Sequence, residues 1–134
     1  MKLNLASRIL GLATLFLVLG CSRTASDEKA ARKAYSNYQK AIQTEDVEAL
    51  KRYVTAESAE ELSGEGAKEK LRPIKALAPK DVTITVTTIS DDTAKLIVQA
   101  SLQEQLVTGA ITMVKEGRQW KIIKENWEVK TDGK

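Results

Sequence analysis

The sequence predicts an α+β domain in which N-terminal helices pack on a four-stranded antiparallel sheet. Apolar residues recur at helical spacing in the first half of the chain, and from Val82 onward the period drops to two. Turn residues at Ser90-Asp91-Asp92 and Glu116-Gly117-Arg118 then divide the second half into short runs. Helices first and strands second, without alternation, exclude a βαβ wind.

The first helix is expected to start at Ser26 or Asp27, where a side-chain oxygen can cap it, with Asp27 and Glu28 at its positive end. Ala31, Ala34, Tyr35, Tyr38, Ala41 and Ile42 form one stripe, opposite Lys29, Arg32, Lys33, Asn37 and Lys40. Thr44 is the expected cap of a short second helix, with Glu45 and Asp46 in its first turn and Val47, Leu50 and Val54 along one side. Further helices are expected over 57–62 and, more weakly, 67–71. Gly64 and Gly66 interrupt this stretch, and Pro73 argues against a helix continuing through Arg72. In the first strand Val82, Ile84 and Val86 alternate with Thr83, Thr85 and Thr87, and in the second Ala94, Leu96, Val98, Ala100 and Leu102 share a face. Runs 106–115 and 119–129 complete a meander.

Ahead of this domain stands an export signal. Residues 1–8 carry Lys2 and Arg8, and residues 9–19 are an uncharged apolar run. A spanning helix needs about 20 such residues, so the run suits the core of a signal peptide. The sequence Leu17-Val18-Leu19-Gly20-Cys21-Ser22 resembles the lipobox of bacterial lipoproteins, with Leu19 in place of the commoner Ala or Ser. The resemblance implies cleavage before Cys21 and acyl chains on its thiol, several chains together giving stable anchoring. The expected organisation is a signal peptide at 1–20, the lipidated Cys21 with a polar tether to residue 26, and one domain over 27–130. The tether spans at most ~17 Å, which keeps the domain close to the bilayer. The expected location is the cell envelope, on the periplasmic face of the outer membrane in a diderm host, since Ser22 lacks the Asp that resembles a retention signal.

Composition narrows the chemistry. The chain has 134 residues and a net charge of +3 from 21 basic and 18 acidic residues. The expected signal removes Lys2 and Arg8 and no acid, so the mature part is close to neutral and a nucleic-acid partner is not expected. With no His and one Cys, the usual zinc, copper and haem ligand sets are missing, as are Ser-His and Cys-His nucleophile pairs. No cofactor or metal is expected. Glu57, Glu60, Glu61 and Glu65 lack the loop chemistry of a calcium site and suit a solvated helix face.

The segments AYSNYQKAIQTEDVEALKRYV (34–54) and VKEGRQWKIIKENWEV (114–129) resemble the nuclear-transport-factor-2-like, or cystatin-like, cone domains, especially those of small bacterial lipoproteins of unknown function. The resemblance carries through the joint Thr44-Glu45-Asp46-Val47-Glu48-Ala49-Leu50 and the hairpin Glu116-Gly117-Arg118-Gln119-Trp120-Lys121-Ile122. It implies a curved sheet wrapped on a long helix. Catalytic members place an acid, a His or a Tyr deep in the cone.

Here Tyr35, Tyr38 and Tyr53 could supply a hydroxyl, although their helical spacing fits core packing with the OH at the rim. Trp120 and Trp127 fall on opposite faces of a regular strand, unless a bulge intervenes. Trp120 shares the face of Ile122 and is the expected core residue. Trp127, with Ile123, is then either a contact residue or a cover for the open face. The expected function is a membrane-anchored, non-enzymatic interaction domain whose partner is an envelope protein or a second copy of the chain. A cone that binds a small apolar ligand is the alternative, and a cofactor-free enzyme a third. Tyr38, Tyr53 and Trp127 are the candidate contact or cone-lining residues. Replacing Cys21 with Ser should yield an unlipidated protein that leaves the membrane fraction. Intact-mass analysis finding a free Cys21 thiol and Met1 in the native protein would contradict the anchor.

Overall fold

The computed structural model describes the backbone of residues 2–131 and the side chains of residues 23–131. The expected signal peptide (1–20) and Cys21 lie outside the residues whose side chains are described. Among the described residues no helix is long and apolar enough to cross a membrane.

The elements run α1 (Lys2–Gln43), α2 (Val47–Lys51), α3 (Ala56–Glu61), α4 (Ala67–Ala76), β1 (Lys80–Ser90), β2 (Thr93–Leu102), β3 (Gln105–Glu116) and β4 (Gln119–Val129). The strands form one antiparallel sheet in the order β1-β2-β3-β4. Residues 23–26, expected as a tether, belong to α1, so neither Ser26 nor Asp27 caps it. Asp27 instead pairs with Lys115 at 2.8 Å.

The first helix ends at a joint that the sequence placed two residues early. The Asp46 N–H donates to the Ala41 carbonyl and the Glu45 N–H to the Ile42 carbonyl, while Glu45 takes a left-handed φ of 52°. This is a Schellman closure built without glycine. Thr44 is therefore the end of α1, its hydroxyl donating to the Lys40 carbonyl. The cap of α2 is Asp46, whose carboxylate accepts from the Ala49 N–H at 3.0 Å. Thr55 caps α3 in the same way. The fourth helix passes through Pro73, against expectation. Proline removes one helical bond, but buried Leu71 before it and buried Ala78 after it hold the segment down, and the Leu77 N–H donates to the Pro73 carbonyl.

In the sheet, β2 and β3 pair without interruption through ten residues, from Thr93↔Val114 to Leu102↔Gln105. Gln103 and Glu104 both have positive φ, the two-residue turn whose twist matches that of the strands. The outer strands are irregular. In β1 an extra residue between Ile84 and Val86 reverses the alternation. Val86 thereby turns outward, 51% exposed, while Thr87 and Ile89 turn toward the core. In β4, Thr112 pairs with Lys124 and Met113 with Ile122, which leaves Ile123 as a bulge. Trp127 consequently shares the inner face with Trp120 and Ile122, and the opposite facing expected for a regular strand does not hold.

The core has two parts. Ala31, Ala34 and Tyr35 of α1 pack on Leu96, Val98, Ile111, Met113 and Trp120 of the sheet. Ala41, Ile42, Leu50, Val54, Leu71 and Ala78 join the helices, and Tyr38 touches both parts. The Ile122 N–H donates to the Tyr53 carbonyl at 2.7 Å, fastening the chain after α2 along the edge of β4.

Both indoles are thus packing residues. Trp120→Ala should cost about 3–5 kcal/mol, as for a buried aromatic, and Trp127→Ala should also lower the melting temperature, but by less because its ring is half-buried. Urea titrations of the two variants check this, and an unchanged midpoint for Trp127→Ala would return that residue to the surface.

Candidate binding site inside the sheet

The bulge at Ile123 carries a second residue inward. Glu125 stands opposite Ile111, a buried position on the inner face of β3, and Trp127 stands opposite Gly109. A Cβ on Gly109 would lie 2.6 Å from the Trp127 ring and 2.8 Å from Val98. The glycine is therefore what lets the indole lie flat on the sheet beside the carboxyl.

From the helix side, Tyr35 is fully buried and its ring stacks on that of Tyr38 with centroids 6.0 Å apart. One turn later Gln39 Nε2 donates to the Tyr35 hydroxyl at 2.8 Å. Glu125 faces this group. Burial pushes its carboxyl up from the ordinary range, and the nearby Trp127 indole and Tyr35 hydroxyl oppose the shift only in part. Burial, reinforced by the Glu125 charge, also raises both Tyr35 and Tyr38. All three groups are thus shifted in the direction of their neutral forms.

Two oxygens of the cluster are unpaired. Gln39 Oε1 and Glu125 Oε1 are both buried without a hydrogen-bond partner. A buried acceptor in that state costs about 1–3 kcal/mol. Tyr35 cannot donate to Gln39 Oε1 as the amide is oriented, because the hydroxyl already faces the Nε2 donor.

Solved structures place this architecture. A protein of unknown function from Silicibacter pomeroyi superposes with a TM-score of 0.57 at 17% identity, covering 80% of this chain and 99% of that one. A member of the NTF2-like family from Streptomyces avermitilis, provisionally described as a dehydratase, gives 0.56 at 17% identity over 80% and 98%. A third, of unknown function, from Shewanella baltica gives 0.53 at 11% over 81% and 97%. The first and third are also described as NTF2-like. This domain has the NTF2-like fold. No family model and no curated protein matches the sequence.

Within the NTF2-like domain the expected site residues separate. Tyr38 and Trp127 lie against the inner core beside Tyr35 and Glu125. Tyr53 packs its ring on the same core, but its hydroxyl accepts from Asn37 Nδ2 at 3.1 Å, in a groove of about 270 Å³ between α1 and α2. Glu125 and Gln39 are not among the site residues expected from the sequence. The signal for Glu125 was the pair Ile122-Ile123, since one of two adjacent residues on a strand must face away from the core. Among the described residues no group of three His, Cys, Asp or Glu side chains is placed to hold a metal ion, and Glu57, Glu60, Glu61 and Glu65 are exposed.

The raised Glu125 carboxyl sets a pH dependence. A group protonated more readily when folded supports the fold below its unfolded value, near 4.5, and loses that support as pH rises through its folded value. Glu125→Gln keeps the shape and removes the charge, so it should be more stable than the native protein above the folded value. Its advantage should disappear toward pH 4. Melting temperatures of both proteins across that range check the sign, and a native protein that is the more stable one at neutral pH would refute it.

Proposed function

We propose that this chain is an envelope lipoprotein, held at a membrane through acyl chains on Cys21, whose NTF2-like domain binds a target without transforming it. The observation that carries the binding role is the pair of unpaired oxygens, Gln39 Oε1 and Glu125 Oε1, among the aromatic rings of the inner face. Groups that cost stability without a partner are satisfied by a ligand that brings one. The ligand chemistry that fits is a small neutral molecule with an apolar body and a hydroxyl or amide at one end. A charged ligand of either sign would lose its water on entering these buried, largely aromatic surroundings.

The non-catalytic reading rests on the residue set: the chain has no His, and burial raises the Tyr35 and Tyr38 hydroxyls away from the range in which a phenol acts as a base. The anchor rests on the Val18-Leu19-Gly20-Cys21 pattern after the apolar run.

Native mass spectrometry of the protein from its producing cells tests the ligand. The expected result is a retained small molecule that is lost from the double variant Gln39→Leu, Glu125→Leu. A ligand-free protein that gains no thermal stability from neutral alcohols or amides would remove this reading.

A protein partner or second copy remains the other reading, favoured by the outer face of the sheet. There Val86, Ile97 and Ala110 stand in one row across β1–β3, and Val86 and Ile123 are 51% and 49% exposed. Sedimentation would show a dimer that Val86→Lys returns to monomer. A native protein that is monomeric at all concentrations would exclude self-association.

A further inference from the structure

We infer that the end of the sheet bearing the β1–β2 and β3–β4 turns is the surface that lies against zwitterionic lipid headgroups in the anchored protein. The inference rests on the reading of Cys21 as the anchor and deepens it, from an attachment to a defined orientation.

Lys115 is the junction that fixes it. Its backbone N–H donates to the Asp92 carbonyl at 2.7 Å, tying the end of β3 to the β1–β2 turn. Its Nζ bonds Asp27 Oδ1 of α1 at 2.8 Å and lies 5.8 Å from the centre of the Trp120 ring. Both side chains of the ion pair are about three-quarters buried, which shields the pair from the screening that weakens exposed ones. The place where α1 leaves the body of the domain is thus held beside these two turns.

Chain geometry then limits the rest. Six residue steps separate Cys21 from Asp27, about 9 Å as helix and about 20 Å fully extended. The twelve residues of β3 put its two ends about 36 Å apart. The far end of the sheet, with the Gln103-Glu104 turn, therefore cannot be presented to a bilayer that holds Cys21. Residues 23–26 continue α1, so the exit is a helical stub rather than a loose strap.

The chemistry of the near end fits headgroups carrying both charges. A groove of about 690 Å³ is lined there by Arg23, Asp27, Ile89, Asp91, Asp92 and Lys115. Charges of both signs give no reason for attraction to an anionic surface, and they match a hydrated zwitterionic layer.

The mature chain beginning at Cys21 tests this, because Cys21 is the only cysteine in the sequence. Its thiol is coupled to a maleimide-headgroup lipid in phosphatidylcholine vesicles. Amine acetylation is then mapped by mass spectrometry against the same protein capped with N-ethylmaleimide and free in solution. Arg118→Lys supplies a reporter amine in the β3–β4 turn, and the native Lys80 and Lys130 report on the opposite end. The expected result is a severalfold loss of reactivity at position 118 with Lys80 and Lys130 unchanged. Equal reactivity at both ends, or protection at Lys80 and Lys130, would overturn the orientation. Asp27→Asn, which cuts the ion pair, should return position 118 toward its reactivity in solution, and undiminished protection would overturn the role of the Lys115 junction. Chemical coupling supplies the anchor whether or not the cell does, so this outcome is independent of the intact-mass test of lipidation.

Discussion

Two adjacent isoleucines cannot both point into the core from one strand, and β4 resolves the conflict by giving up Ile123. The strand needs Ile122 inside, where it packs with Trp120 and receives the edge contact from Tyr53. The bulge that ejects Ile123 reverses the facing of everything beyond it. Glu125 and Trp127 enter the interior together as a result, and the character of the inner face changes from hydrocarbon to a polar cluster ringed by aromatics. Without that one extra residue the carboxyl would stand in water and the domain would have a plain core.

The remaining features accommodate what the bulge brings in. Gly109 leaves room for the Trp127 ring, Tyr35 meets the carboxyl from the helix side while accepting a hydrogen bond from Gln39, and the Tyr35 ring stacks on Tyr38. The cluster is costly to the fold, holding an acid where its charge is unwelcome and two oxygens without donors. Thr87 Oγ1 and Trp120 Nε1 are also buried without a partner, so the unsatisfied groups are spread over the inner face and Glu125 is the ionisable one among them.

The fold was legible because its signals are local. The stripe from Ala31 to Ile42 and the alternation from Ala94 to Ala100 depend on spacing alone, and both lie where the sequence puts them. Thr44 was misread because Thr and Asp are both good caps, and only the left-handed Glu45 decides between them. Pro73 was misread because tertiary anchoring of Leu71 and Ala78 outweighs the local penalty of a proline. The interior site was the least legible part. It depends on register, and each added residue in β1 or β4 inverts the facing of all later ones. A period of two cannot reveal where it has been broken, so Val86 and Trp127 were assigned to the wrong faces for one and the same reason.

All three extra residues lie in the two outermost strands, while the β2–β3 ladder is uninterrupted. The edge of β4 is partly occupied by the bridge to Val54. Among the described residues β1 has no strand on its outer side, and its two irregularities, with Asp81 in a left-handed conformation, break the row of backbone donors and acceptors that another chain would need. Tethering confines proteins to two dimensions and raises the frequency with which their flanks collide. A domain with no disulfide to hold it and a straight exposed strand would, under that crowding, add copies edge to edge. The kinked outer strand deprives such growth of a template, so copies of this domain brought close together would not add edge to edge through β1.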